Sequence, residues 1–287
     1  MMRKIISVIT PFYQGNSYMN SLLKMISANC KNLNENYEVE YIIINDSPDI
    51  NVQYDSDLVG DFKFYIYVNN INIGIHKSKI AGLSYAKGEY ILFLDQDDKI
   101  EETYLASQIE CIGNHDLVIS NGYKESVNKR KVIFKNTISI HLATNKSFAL
   151  YYGNMIVSLG QCLIKRSSIP ELWLRNTLTI NGSDDYYLLI LMHLNKRKFK
   201  INPEKLYTHT LTGINVSNDA DLLYNSVQEF SNYLIGYEKY KRSIKVMLRR
   251  IEFKKALKTS KAHSKIFTII HYFPYAIYYY AGKILIK

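Results

Sequence analysis

Tyr90-Ile91-Leu92-Phe93-Leu94-Asp95-Gln96-Asp97-Asp98 is the stretch on which the reading turns. Five apolar residues make a short buried strand, which ends in three carboxylates within four positions. Side chains alternate along a strand, so Asp95 and Asp97 can share a face while Gln96 takes the other. Two converging carboxylates form a hard-oxygen half-site for Mg²⁺ or Mn²⁺, with a substrate phosphate completing the shell. The plainer reading is an acidic turn capping the next helix, since Lys99-Ile100-Glu101-Glu102 follows and Asp is a favoured N-cap. A cap accounts for one Asp, not three, and metal binding is preferred.

Outward from this strand, apolar runs alternate with helical spacing. Ile5 to Thr10, Val39 to Ile44 and Phe64 to Val68 read as strands; Asn20 to Ala28, Lys77 to Ala86 and Glu101 to Ile112 read as helices. That alternation argues for a mainly parallel α/β sheet, whose ligands sit beyond the carboxyl ends of the strands. Thr10, Asp46 and Asp95 all fall at such ends. Beyond about residue 115 the pattern loosens. Leu117 to Ser120, Val132 to Phe134 and Gly160 to Lys165 are strand candidates of a mixed sheet, and Asp184 opens a helical run.

Composition narrows the classes. A 287-residue chain with 47% hydrophobic residues supports a sizeable core. Cys30, Cys111 and Cys162 are isolated, with no CxxC, and read as reduced thiols of a cytoplasmic protein. The N-terminus leads into a strand without a signal-peptide apolar core. There is no GxGxxG and no P-loop signature, so the common phosphate-cradling loops are missing. Thr10 and the neighbouring backbone at Pro11 can hold a nucleotide, although a strand ending at a proline explains both as well. Asp46 can accept from the imide N–H of a pyrimidine, or form an Asx turn with Ser47-Pro48. Lys79 can reach a diphosphate, or be a solvated helix charge.

In order, Ser7-Val8-Ile9-Thr10-Pro11-Phe12-Tyr13, Ile42-Ile43-Ile44-Asn45-Asp46-Ser47-Pro48-Asp49, Asn72-x-Gly74 and Ala86-Lys87-Gly88 through Asp98 resemble the nucleotide-sugar half of family 2 glycosyltransferases. The resemblance implies the GT-A fold: a Rossmann-like, mixed but mainly parallel sheet flanked by helices. It also implies inverting transfer of a sugar from a nucleoside diphosphate donor, with uridine or thymidine suiting Asp46. By that resemblance Thr10 and Asp46 hold the base, Pro11 belongs to the nucleotide-sugar site, Asp95 contacts the ribose or the metal, and Asp97 ligates the metal. Two positions depart from the family pattern: Asn45 replaces an Asp, and Ser78-Lys79-Ile80 replace Ala-Arg-Asn. Lys79 keeps the charge of that Arg without its bidentate fork.

Asn181-Gly182-Ser183-Asp184-Asp185-Tyr186-Tyr187-Leu188 resembles the family's acidic helix start, which implies Asp185 as the catalytic base and Asp184 as a supporting acid. An N-cap pair is the alternative. Tyr207 to Ser217 resembles the segment that closes over the donor, with His209 placed to ligate the metal or touch the diphosphate. The expected organisation is a catalytic domain over 1–220, with a donor half at 1–100 and an acceptor half at 101–220, followed by a basic helical extension over 221–287.

The net charge of +10 resides in one segment. Residues 239–265 carry eleven Lys or Arg and one acid, Glu252, while the rest of the chain balances at 25 basic and 25 acidic residues. Ile244, Met247, Leu248, Ile251 and Leu257 are spaced as one helical face, so this segment reads as an amphipathic helix on an anionic membrane surface. Ile266 to Gly282 has no charged residue but is short for a span. The expectation is a cytoplasmic protein peripheral on the inner face of the membrane, acting on a glycan or lipid-linked acceptor. Nucleic-acid binding lacks a fold motif. A sugar nucleotidyltransferase, which would show a Gly-rich basic loop after the first strand, and a catalytically inactive sugar-binding or scaffold protein are the competing readings.

Overall fold

The computed structural model describes residues 3–211, 219–261 and 264–285. Part of the stretch Tyr207 to Ser217 therefore lies outside the described residues. The chain divides into two compact units. One comprises Met1–Ile133, Val157–Ile169 and Arg197–Leu211; the other comprises Phe134–Ile156, Pro170–Lys196 and Thr212–Lys287.

The first unit holds nine strands among the described residues: β1 Lys4–Phe12, β2 Tyr37–Asn45, β3 Lys63–Val68, β4 Tyr90–Phe93, β5 Lys99–Ile100, β6 Leu117–Ser126, β7 Lys129–Val132, β8 Cys162–Lys165 and β9 Phe199–Thr210. Its helices are α1 Asn16–Asn32, α2 Ile75–Tyr85 and α3 Tyr104–Ile112. The sheet order is β3-β2-β1-β4-β8-β6-β9-β5, with β7 on β6. The four strands β3, β2, β1 and β4 are parallel, and β8 joins β4 antiparallel. The sheet is mixed but mainly parallel at the end that matters, as the sequence pattern predicts.

Both faces of β1 are covered, hence its unbroken apolar run. Ile6, Val8 and Phe12 join Met19, Leu22, Leu23 and Ile26 of α1 and Leu105 and Ile109 of α3 in one core. On the opposite face Gly82 of α2 lies so close to Ile9 and Ile44 that a Cβ there would meet Ile9 Cγ2 at 2.3 Å. Each such aliphatic side chain contributes about 1.5–3 kcal/mol when fully buried. Asn29, buried on α1, is satisfied: it donates to Met25 and Glu101 carbonyls and accepts from Leu105 N.

The observed elements depart from expectation in instructive places. β1 runs two residues past Thr10, through Pro11. Pairing with β4 stops at Ile9, so beyond it only the β2 side of β1 bears a ladder, and the proline's missing N–H breaks no bond to β4. The helix expected from Glu101 begins at Tyr104, because Lys99-Ile100 instead pair with Thr208 and Tyr207 of β9. The strand expected at Val132 to Phe134 lies at Lys129–Val132. β9 was not foreseen: Pro203 and alternating charges interrupt its apolar pattern, and it bulges against β6 at Asn121 and Gly122.

The second unit is helical: α4 Thr137–Ala143, α5 Lys146–Tyr151, α6 Glu171–Arg175, α7 Asp184–Leu194, α8 Ala220–Tyr233, α9 Lys241–Thr259, α10 Lys265–His271 and α11 Tyr275–Leu285. α7 is buried on all sides from Tyr186 to Leu194. Val246, Met247, Ile251 and Phe253 of α9 are buried within this unit. Of the face expected to rest on a membrane, Met247 and Ile251 are thus engaged in packing, while Ile244, Leu248 and Leu257 are partly buried. Among the described residues no helix is long and apolar enough to cross a membrane.

Candidate functional site

The carboxyl ends of β1, β2 and β4 bring three loops together, each held by side chains from another. Gln96 reaches back to Tyr13, accepting from its N–H at 2.9 Å and donating to its carbonyl at 3.0 Å. Gln14, at φ 49°, donates its N–H to Ser47 Oγ at 2.9 Å. Asn45 accepts from Ser47 N and donates to the Ile50 carbonyl at 2.8 Å. An Asp could not make that second bond, which gives the departure at Asn45 a structural purpose. Gly88 sits where a Cβ would lie 2.3 Å from Ser7 Oγ, and its N–H donates to that hydroxyl. Ser7 in turn donates to the buried Glu40.

Asp46 is buried and organises the loop before α2. Its Oδ1 accepts from Asn69 Nδ2 and Ile73 N, and its Oδ2 from Gly74 N, all at 2.8 Å. Gly74, at φ 85°, needs the left-handed region that glycine reaches freely. Thr10 has no exposed surface, and its hydroxyl lies 3.2 Å from Tyr41 Oη. Pro11 is likewise buried. The side chains of Thr10 and Pro11, expected at a nucleotide, are thus core groups; the strand runs on past them, and Tyr13 and Gln14 are the exposed residues at its end.

The acidic cluster separates into three environments. Asp95 accepts from Ser158 Oγ at 2.9 Å, and its Oδ1 lies 3.7 Å from Nζ of Lys79, whose side chain is 1% exposed. Lys79 is accordingly neither a solvated helix charge nor an outward-reaching one: it faces the carboxylate. Asp97 is half-buried, and burial together with the charges of Asp98 and Asp95 pushes its pKa up to about 6. Asp98 is buried and accepts from Tyr207 Oη, from Thr210 N at 3.1 Å and from His209 Nδ1 at 3.0 Å. Burial opposes charge on His209, but the hydrogen bond to Asp98 and the charges of Asp98, Asp95 and Asp97 outweigh it and raise its pKa.

His209 therefore lies on β9, not in a loop, with one ring nitrogen engaged by Asp98. Asp98 is the residue that sequence reasoning undervalued as a cap. The available signal was the third carboxylate; its partners stand more than a hundred positions downstream.

Among the described residues no three His, Cys, Asp or Glu side chains are assembled around a single point as a metal centre. What the sheet unit offers is a pair of carboxylates, Asp95 and Asp97, with the second ionising reluctantly beside its neighbours' charges. That oxygen donor set fits Mg²⁺ or Mn²⁺, which commonly take one or two carboxylates and fill the remaining positions with water and phosphate.

Asp184 and Asp185 belong to the helical unit and occupy the first turn of α7. The hydroxyl of Ser183 at the N-cap is shared with Ser226 at 2.5 Å, not with the helix. Asp184 is buried, with its carbonyl accepting from Trp173 Nε1, while Asp185 is half-exposed at the positive end of the helix.

Comparison with known proteins adds the identity of this scaffold. The sequence model described as Glycosyl transferase family 2 matches residues 7–173, more than half of the chain. A Haemophilus influenzae protein named as an uncharacterized glycosyltransferase is 31% identical over 121 residues, 41% of this chain and 46% of that protein. The Escherichia coli UDP-Glc:alpha-D-GlcNAc-diphosphoundecaprenol beta-1,3-glucosyltransferase WfgD is 23% identical over 64% of this chain and 68% of its own length. The chain spans under half the length of the first curated relatives it matches. Among solved structures, S. aureus TarS in complex with UDP-GlcNAc has a TM-score of 0.62 at 18% identity, covering 94% of this chain and 80% of that one. The chain belongs to glycosyl transferase family 2 and has the GT-A fold.

Proposed function

We propose that the chain moves a sugar, with inversion, from a UDP- or dTDP-linked donor to a hydroxyl of a glycan or lipid-linked acceptor in surface-polysaccharide synthesis. The observation that carries this reading is the Asp95/Asp97 pair at the end of β4, beside the ordered loops of β1 and β2, in a family 2 chain. Related proteins support the substrate classes by what their names state: TarS was solved with UDP-GlcNAc and with UDP, a Pyrobaculum calidifontis mannosyltransferase with GDP-Man and Mn²⁺, and WfgD acts on a diphosphoundecaprenol-linked sugar. In this reading residues 1–100 serve the donor and the acceptor half follows over 101–220.

Asp97 and Asp95 would hold Mg²⁺ or Mn²⁺, which neutralises charge on a departing diphosphate. Lys79 fixes Asp95 from beneath and supplies positive charge to the carboxylate cluster. Asp46 holds the Ile73-Gly74 turn in shape through two backbone N–H groups. Asp185 serves as the general base, taking the proton from the acceptor hydroxyl as its oxygen attacks the anomeric carbon; Asp184 supports it. A positioned carboxylate in this role contributes typically about 10²–10⁴-fold. His209, held by Asp98, stands beside the cluster and can meet the metal or the diphosphate with its remaining ring edge.

The test is Asp185→Asn, assayed with a panel of nucleotide sugars in the presence of Mn²⁺. Transfer should fall by at least about a hundredfold, while donor binding, followed as a thermal shift, persists. Turnover that survives the change refutes the base assignment.

A further inference from the structure

We propose that α10 and α11 dock the protein onto an anionic lipid surface by their exposed isoleucines and phenylalanines, with neighbouring lysines meeting the headgroups. The observation is a division of labour within two short helices. Their tyrosines pack against the rest of the unit, Tyr280 while still 39% exposed. Tyr272, Tyr279 and Tyr280 surround Phe253 of α9 with ring centroids 5.4–6.1 Å away, and Tyr278 lies 5.7 Å from both Tyr151 and Tyr152. Tyr272 Oη also donates to Glu252 at 3.1 Å, and Gly282 lets α11 approach the Tyr152 carbonyl. With that side anchored, Ile266, Phe267, Ile270, Phe273, Ile277 and Ile284 remain 51–73% exposed. Ile266 and Ile270 are one turn apart on α10, and Ile277 and Ile284 two turns apart on α11, so each helix shows a stripe.

Six large apolar side chains, each at least half exposed on or between two successive short helices, mark a candidate contact surface. Charge selects the partner. Residues 253–287 carry seven lysines and no Asp or Glu. Lys261 and Lys265 are exposed at and just before the start of α10, and Lys283 is exposed near the end of α11 with its ammonium 4.4 Å from the centre of the Tyr279 ring. A second copy of the chain would bring the same uncompensated positive charge against it, whereas an anionic lipid surface pairs with it. Apolar side chains entering the headgroup–acyl boundary, with lysines at headgroup level, is how interfacial helices bind. The basic α9 exposes no such stripe: Val246, Met247, Ile251 and Phe253 are buried and Ile244, Leu248 and Leu257 are partly buried, so it supplies charge and not an apolar face.

This inference does not depend on the transferase chemistry, so its failure leaves the Asp185→Asn result untouched. The full-length protein is sedimented with phosphatidylglycerol–phosphatidylcholine vesicles and with pure phosphatidylcholine vesicles, and its mass in solution is measured by light scattering. The wild type should bind the anionic vesicles at least tenfold more tightly than the neutral ones, and 0.5 M salt should weaken that binding about tenfold, as screening of surface charge requires. Phe267→Asp with Ile277→Asp should lose at least tenfold in binding at unchanged donor hydrolysis with a water-soluble acceptor. Lys261→Ala with Lys265→Ala, which leaves the apolar face intact, should lower anionic binding and abolish the preference over neutral vesicles. No vesicle binding by the wild type, wild-type binding retained by either variant, or a wild-type dimer that the apolar variant converts to monomer each overturns the proposal.

Discussion

Asp46→Asn is the substitution that most sharply separates a loop-building role from a ligand-binding one. Asp46 is 4% exposed and accepts three hydrogen bonds at 2.8 Å, two from backbone N–H groups. An asparagine keeps one acceptor, which can serve Asn69 and Ile73, but those bonds fall from charge-assisted to neutral, a loss of about 0.5–1 kcal/mol each. Its amide nitrogen then confronts Gly74 N–H, donor against donor. Gly74 retains a second acceptor in Asn72 Oδ1 at 3.1 Å, so this costs about 1 kcal/mol and not the full penalty of an orphaned donor. The total is about 2–3 kcal/mol of local stability, equivalent to roughly thirty- to two-hundred-fold faster opening of the turn. Amide hydrogen exchange of peptides covering 69–76 reads that quantity directly, with peptides from β6 as an internal reference. Exchange at Ile73 and Gly74 unchanged within threefold, together with lost nucleotide binding, would refute the argument: the carboxylate would then be held for the donor and the loop by other means.

Gly88→Ala should lower the thermal midpoint by the equivalent of about 1–3 kcal/mol, because its Cβ would meet Ser7 Oγ and Ser7 N at 2.3 and 2.6 Å. Gly236→Ala, with nothing within 4 Å, serves as the neutral control. His193 on α7 is held neutral by burial and by the charge of Lys146, with its pKa pushed down to about 4 from 6.5. Its folded value lies below the unfolded one, so the stability linked to it is intact above about pH 6.5 and drains as pH falls towards 4. The loss there reaches about 3 kcal/mol. Trp173, the single tryptophan, is buried in the same unit, so its fluorescence during urea unfolding at pH 7.5 and 4.5 measures the loss. A His193→Gln protein should show a flatter profile, and equal midpoints for the wild type at both pH values would contradict the linkage.

The first hundred residues were legible because each element there is decided locally or by an immediate neighbour. β1 and β2 are continuous apolar runs, since a parallel sheet covered on both faces needs no polar alternation. Turn residues between them, such as Asn45 to Pro48, carry their own hydrogen-bonding instructions. β9 was illegible for the opposite reason. Its residues Lys200, Glu204 and Lys205 are solvent-facing and Pro203 interrupts it, so its existence depends on β6 and β5, about eighty and a hundred positions upstream. The same holds for α9, where Met247 and Ile251 did form the predicted apolar face. Sequence periodicity reports that a face is apolar, not which surface covers it.

The acidic motif shows the limit most clearly. Three aspartates within four positions invite one shared role, and their spacing alone supports it. Their partners divide them. Asp98 is held by Tyr207, His209 and Thr210, and that pairing couples the end of β4 to β9 through the two-residue strand β5. Asp95 is flanked by the Ser158 hydroxyl, which donates to it, and by the Lys79 ammonium 3.7 Å away. Only Asp97 is half-buried with neighbouring charges of its own sign dominating its surroundings. A cation entering this cluster would relieve Asp97 most, because Lys79 already offsets Asp95 and a full set of donors already offsets Asp98. On the proposed reading Asp97 would therefore matter more than Asp95 for holding a cation. Asp98 contributes by fixing the backbone from which the other two project.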